Sequence, residues 1–115
     1  MADQIHLKTV MIANGASLSD AVDLYGFTVK ALLVPAAWTA APVSFAASFD
    51  NGSFGDCFNQ EGAEYMINIG ASRLIPLSLS ALFDAGRYFK LRSGTAAVPV
   101  NQGAARILTL LLVPV

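Results

Sequence analysis

The chain has 115 residues, of which 55% are hydrophobic and only 13% are charged, whereas soluble domains usually carry about 25% charged residues. This length suits one domain, residues 1–115, with a core of its own. The 7 basic and 8 acidic residues are scattered and give a net charge of −1, which argues against the basic stripe that nucleic-acid binding requires. The longest apolar runs, such as Ile107–Val115, are too short for a membrane-spanning helix.

The low content of charged residues also predicts that other subunits cover part of the surface. So few charged side chains cannot coat a small monomer in the usual way, and obligate subunit interfaces resemble a core cut in half. We therefore expect a homo-oligomer, with a trimer as one possibility, or a larger assembly. The start Met1-Ala2-Asp3-Gln4 lacks the features of a signal peptide, and Cys57 is the only cysteine, so we expect folding in a reducing cytoplasm.

Short runs rich in β-branched, aromatic and aliphatic residues alternate with Gly, Asn, Asp and Pro along the chain, which is typical of a β-sandwich or barrel. The sequence therefore predicts an all-β fold, a single jelly-roll-like β-sandwich of about eight strands. In chain order, the candidate strands cover residues 5–12, 21–24, 28–34, 43–49, 54–59, 64–69, 73–77, 88–93 and 105–113, and one helical turn covers 80–85.

The segment 43–49 and the residues after it predict a hairpin. Alternation places four apolar side chains on one face of the strand, namely Val43, Phe45, Ala47 and Phe49. The turn Asp50-Asn51-Gly52-Ser53 follows, and Asn-Gly tolerates the positive φ angles of tight hairpins.

The last predicted strand, 105–113, is apolar on both faces apart from Arg106 and Thr109. Such a strand is either central in a sheet with both faces covered, or it lies at a subunit contact.

The titratable residues do not form a recognisable catalytic set. Nucleophilic and acid–base mechanisms need paired groups within hydrogen-bond reach, and the chain has a single histidine, His6, and a single cysteine, Cys57. We interpret His6 as a solvent-facing strand residue and Cys57 as a buried, inert thiol. The sequence therefore predicts that the protein is not an enzyme and has no catalytic residues.

Metal and cofactor sites are also not expected. One cysteine and one histidine are too few for zinc. Asp50, Asn51 and Asp56 could supply oxygen ligands to calcium, but their spacing does not match an EF-hand loop, and the hairpin turn accounts for them. The glycines Gly52 and Gly55 lie between strands rather than before a helix, so no phosphate cradle is expected.

Trp38, the only tryptophan, lies among alanines and prolines in Val34–Pro42. It could be an exposed platform for a sugar ring, a plug that fills one end of the sandwich, or an anchor in a subunit interface. The plug is favoured, because aromatic side chains usually contribute as buried area. Arginines in the C-terminal half could pair with acidic patches of a neighbouring subunit. The candidate interface or ligand-contact residues are Trp38, Arg73, Arg92 and Arg106.

Several motifs in this order resemble small structural proteins of tailed phages and prophages. They are the turn Pro35-Ala36-Ala37-Trp38-Thr39, the hairpin around Ser48–Phe54, and the strand Arg87-Tyr88-Phe89-Lys90-Leu91-Arg92-Ser93-Gly94-Thr95. The likeness covers most of the chain from about residue 18 onward. One departure is Asp50-Asn51-Gly52, where the pattern has Asp followed directly by Gly. The layout is also similar to discoidin-like, galactose-binding jelly rolls.

The resemblance implies a virion structural protein, specifically a capsid decoration or cement protein that stabilises the phage head through subunit contacts. Its partners would be the major capsid protein or other virion proteins, and its location the virion, assembled in the host cytoplasm. Two alternatives are a neck or tail accessory protein and a carbohydrate-binding module that attaches to host-surface glycans, the latter motivated by Trp38, Tyr25 and Tyr65.

Overall fold

The computed structural model describes residues 6–84 and 86–115, apart from the side chain of Ser80. The predicted bounds Ile5 and Ala85 lie outside these residues. The elements, in chain order, are β1 (His6–Ile12), β2 (Val22–Asp23), β3 (Phe27–Leu33), β4 (Val43–Ser48), β5 (Gly55–Asp56), β6 (Met66–Ile67), β7 (Leu74–Pro76), α1 (Ser80–Phe83), β8 (Tyr88–Ser93) and β9 (Arg106–Pro114).

The strands form two antiparallel sheets that pack as a sandwich. One sheet has the order β1-β9-β3-β7, and the other has the order β2-β8-β4-β5, with the short β6 also paired to β4. Apart from β6, the pairing is nested, because β1 pairs with β9, β2 with β8, β3 with β7 and β4 with β5. A long folded hairpin wrapped into two layers has this pairing, which is the jelly-roll arrangement. The predicted all-β, jelly-roll-like sandwich is therefore confirmed.

The core lies between the two sheets and is closed at one end by α1. Strand β8 shows the expected alternation, since Phe89 and Leu91 are buried while Lys90 and Arg92 are only half-buried. From α1, Phe83 meets Phe45 and Phe89 edge to face, with ring centroids 5.7 and 5.4 Å apart, a favoured aromatic geometry. Among the described residues, no helix is long and apolar enough to cross a membrane.

The turn after β4 differs from the predicted tight hairpin. Strand β4 ends at Ser48, whose Oγ accepts hydrogen bonds from the backbone N–H groups of Asp50 and Asn51. Asn51 has the expected positive φ of 62°, but six residues, 49–54, separate β4 from β5. The placement of Phe49 on the strand was wrong, because the chain has already turned there, and the Phe49 side chain is 83% exposed.

Asp50 organises this turn. Its Oδ1 accepts hydrogen bonds from the N–H groups of Gly52 and Ser53, at 2.8 and 3.1 Å, and from the Ser48 hydroxyl at 2.9 Å. These donors favour the ionised carboxylate and lower the pKa of Asp50 from 3.8 to about 2. The turn therefore occupies Oδ1 of Asp50, one of the oxygen atoms that could have suggested a calcium site.

The low pKa of Asp50 predicts a pH dependence of stability. The folded-state pKa lies below the unfolded value, so Asp50 stabilises the fold above pH 4, and this contribution is lost as the pH falls toward 2. Asp50→Asn keeps an acceptor oxygen but cannot titrate. Melting temperatures measured from pH 5 to pH 2 should therefore fall less steeply in Asp50→Asn than in the wild type. Parallel curves would contradict the assigned role of Asp50.

Candidate functional site

The outer face of the four-stranded sheet is the most unusual surface of the molecule. Strand register aligns ten of its outward side chains in three rows that run across the sheet. The first row is Leu7, Leu111, Ala31 and Pro76; the second is Thr9, Thr109, Leu33 and Leu74; the third is Met11 and Ile107. We call these ten residues the outer face. None of them is charged, and the one charged residue of β3, the exposed Lys30, lies beside them at the bulge between Val29 and Ala31.

Large apolar side chains of the outer face are open to solvent. The exposed fractions are 68% for Leu7, 45% for Met11, 44% for Leu33, 66% for Leu74 and 54% for Ile107. Strands about 4.8 Å apart with a rise of about 3.4 Å per residue give the face a footprint of roughly 300 Å². The largest apolar patch on an ordinary monomer covers about 300–600 Å² and is often functional, so this face is a candidate contact surface.

Strand β9 explains why the outer face is apolar. Its even-numbered leucines Leu108, Leu110 and Leu112 are buried between the sheets. The outward Ile107, Thr109 and Leu111 then lie between β1 and β3. The sequence left open whether this strand is central or lies at a contact surface. It is central in its sheet, and its outward side chains still face away from the core.

Arg92, a predicted contact residue, is held in an internal ion-pair network on the other sheet. Its side chain is only 11% exposed and pairs with Asp56 and, at 3.6 Å, with Glu64. Its Nη1 also donates to the Ser44 hydroxyl at 3.2 Å. Arg92 therefore fixes the segment that carries β5 and β6 against β4, and its charge is already balanced within the domain.

Arg106 and the loop of Trp38 meet at a buried residue that the sequence analysis did not identify, Gln102. Its side-chain oxygen accepts hydrogen bonds from the Thr39 N–H at 2.8 Å and the Arg106 Nε at 3.0 Å. Its Nε2 donates to the Thr39 carbonyl at 3.0 Å and the Ser93 hydroxyl at 2.7 Å. Gln102 is 1% exposed, so this amide locks the loop onto β8 and β9.

Trp38 is half-buried and packs against the core, and its Nε1 donates to the Ala41 carbonyl at 3.2 Å. This placement favours the plug among the three interpretations of Trp38. Arg73 is exposed just before β7, at the edge of the four-stranded sheet. Of the four candidates, only Trp38 and Arg106 are brought together, through Thr39 and Gln102.

The single histidine and the single cysteine lie on different sheets. His6, on β1, contacts the ring of Phe27 at 4.7 Å between centroids. Cys57 follows β5, and burial, followed by the charge of Asp56, raises the pKa of its thiol to about 11. The thiol is therefore protonated near neutral pH and is a poor nucleophile. Within residues 6–84 and 86–115, no three His, Cys, Asp or Glu side chains group in a way that could hold a metal ion.

Comparison of the chain with protein-family models, with curated proteins and with solved structures produced no match. The outer face and the side-chain networks described above are therefore the basis for assigning a function.

Proposed function

We propose that the protein is a structural assembly protein of a tailed-phage virion, a capsid decoration or cement protein, that works without catalysis. The observation that carries this proposal is the largely apolar outer face, with large side chains 44–68% exposed. The resemblance of the sequence motifs to phage structural proteins supports the assignment to a virion. The partners that this assignment implies are the major capsid protein, other virion proteins and further copies of the chain.

The proposed mechanism is burial of apolar area. Covering the outer face removes it from water, which stabilises by about 25 cal/mol for each Å² buried. A single face of roughly 300 Å² is smaller than the standard interface of about 800 Å² per partner. Contacts of this size become strong when one copy, or one oligomer of copies, touches several subunits at once, because each further contact then forms within the same complex.

Self-association can be tested in the purified protein with Ile107→Lys. Ile107 is 54% exposed, so lysine is tolerated by the fold, but its charge opposes burial of the outer face. We expect the wild type to elute with a mass above the 12.1 kDa of one chain, and Ile107→Lys to elute as a monomer, in size-exclusion chromatography with light scattering. Val98→Lys is the matched control, since Val98 is 67% exposed outside both sheets.

The proposed location on the virion is tested on the phage particle. A cryo-electron-microscopy map of the phage that carries the protein should show the outer face covered by a neighbouring subunit. A monomeric wild-type protein together with a map in which this face is open to solvent would overturn the proposal.

A further inference from the structure

A cavity of about 460 Å³ opens on the side of the five-stranded sheet, away from the outer face. It lies between the segment 55–65 and the helical turn α1, and Gly86 and the end of β4 complete its wall. Its volume is within the range of about 300–1,000 Å³ that small-molecule sites occupy. Neither the ion-pair network of Arg92 nor the proposed assembly contact accounts for this cavity.

Aromatic rings line the cavity and are unusually open to water. Phe49 is 83% exposed and Phe58 is 52% exposed, and both line the cavity together with Tyr65. The turn at Ser48 directs the chain out of β4 and leaves Phe49 at the rim. Phe58 pairs with Glu64 across a short antiparallel bridge, which sets it next to Tyr65. Exposed ring faces of this kind offer apolar area to a flat ligand.

The polar part of the lining comes from a rigid turn. Asn59 Oδ1 accepts hydrogen bonds from the N–H groups of Glu61 and Ala63, at 3.0 and 2.9 Å. This fixes the backbone that carries Gln60 and Glu61 at the cavity. The side chains of Gln60 and Glu61 form no hydrogen bond with any residue that the structure describes, so their polar atoms are free for a ligand.

The charge of the lining limits the class of ligand. Among the residues that the structure describes, no Lys, Arg or His lines the cavity, and Asp56 shares the single charge of Arg92 with Glu64, so an anionic ligand is disfavoured. The remaining groups are one unpaired carboxylate, amides and a phenol, which supply acceptors and donors together. Hydroxyl groups need both, because each donates one hydrogen bond and accepts others.

We propose that this cavity binds a neutral sugar residue, with its C–H face against Phe58 and Phe49 and its hydroxyl groups toward Gln60 and Glu61. The apolar face of the sugar ring meets the aromatic walls, and its hydroxyl rim meets the rigid turn. This assignment places saccharide binding away from Trp38, and it does not depend on the proposed assembly function.

The test is a titration of the full chain, labelled with ¹⁵N, with the methyl glycosides of glucose, galactose, mannose, N-acetylglucosamine and N-acetylgalactosamine. We expect at least one sugar to shift the backbone amide signals of residues 55–61, with saturation. Phe58→Ala should raise the dissociation constant at least tenfold. Phe49→Ala should also weaken binding, and because Phe49 is 83% exposed, its loss leaves the core intact. Tyr25→Ala is the control, since Tyr25 is 74% exposed and does not line this cavity.

Three results would overturn the inference. The first is the absence of shifts with every sugar. The second is a response to tetramethylammonium ions and to no sugar, which would assign the aromatic walls to a cation. The third is sugar-induced shifts that centre on residues 36–41 or persist at the same concentration in Phe49→Ala.

Discussion

Gly94→Ala is expected to lower the free energy of unfolding by about 3 kcal/mol or more, from two costs that add. Gly94 has φ +93°, where an L side chain is strained. A Cβ at this position would also lie 2.4 Å from the carbonyl oxygen of Val98 and 2.7 Å from the nitrogen of Val100. Both neighbours are backbone atoms in a pairing of Gly94 with Pro99, so they cannot swing aside as a side chain would.

Gly26→Ala is the control that separates the backbone strain at Gly94 from the steric clash there. Gly26 has a similar φ of +81°, but nothing lies within 4 Å of its added Cβ, so this variant pays only the strain, about 1 kcal/mol. Urea unfolding of both variants and the wild type gives the comparison. Equal losses in Gly94→Ala and Gly26→Ala would show that the backbone contact at Gly94 carries no cost.

Gln102→Leu is the second change with a large expected effect, again about 3 kcal/mol. Leucine has nearly the same size but removes four hydrogen bonds, to Thr39 N, Thr39 O, Ser93 Oγ and Arg106 Nε. The Ser93 side chain is fully buried, so it loses a partner that water cannot easily replace. The loop of Trp38 then keeps only the weaker hydrogen bond from Arg106 Nη2 to Thr39 Oγ1, at 3.3 Å, as a side-chain tie to β9.

Two measurements check the role of Gln102. Chemical denaturation gives the change in stability, and amide hydrogen exchange should show faster exchange of the Thr39 N–H, whose acceptor has been removed. Gln60→Leu is the control, because Gln60 is exposed and exposed substitutions usually change stability by less than about 0.5 kcal/mol. A Gln102→Leu variant as stable as Gln60→Leu would contradict the role of Gln102.

The strands were predictable where alternation is strong and continuous. Tyr88–Ser93 has the predicted bounds, because the core residues Phe89 and Leu91 alternate with Lys90 and Arg92 on the opposite face of the strand. The partner strand predicted at 54–59 shortened to Gly55–Asp56, because its pairing with β4 covers only two residue pairs. Here long-range packing rather than the local sequence pattern decides the length of the strand. No sequence signal therefore shows that the strand is shorter than predicted.

The candidate site was predictable only in part, because contacts between residues distant in the chain determine it as well. The sequence shows that β9 is apolar on both faces, and this predicts either a central strand or a contact surface. The three rows of the outer face depend on the register with β1, β3 and β7, which a single sequence does not specify. Gln102 reads as an ordinary loop residue between Asn101 and Gly103, because its partner Thr39 lies 63 residues away in the chain. Arg92 was a reasonable contact candidate, and its balance by Asp56 and Glu64 could not be foreseen.

The nested strand pairing has a consequence for biosynthesis. In the four-stranded sheet, β1 pairs only with β9, and β9 also separates β1 from β3. A ribosome makes β1 before β9, so β1 waits until residues 13–105 have been made before its sheet neighbour exists. During that interval the aliphatic side chains of β1 and β3 are without their cover and are open to chaperones or to wrong partners. Residues 106–114 are therefore the last strand of this sheet to become available during synthesis, and we expect a nascent chain stalled before them to be prone to aggregate.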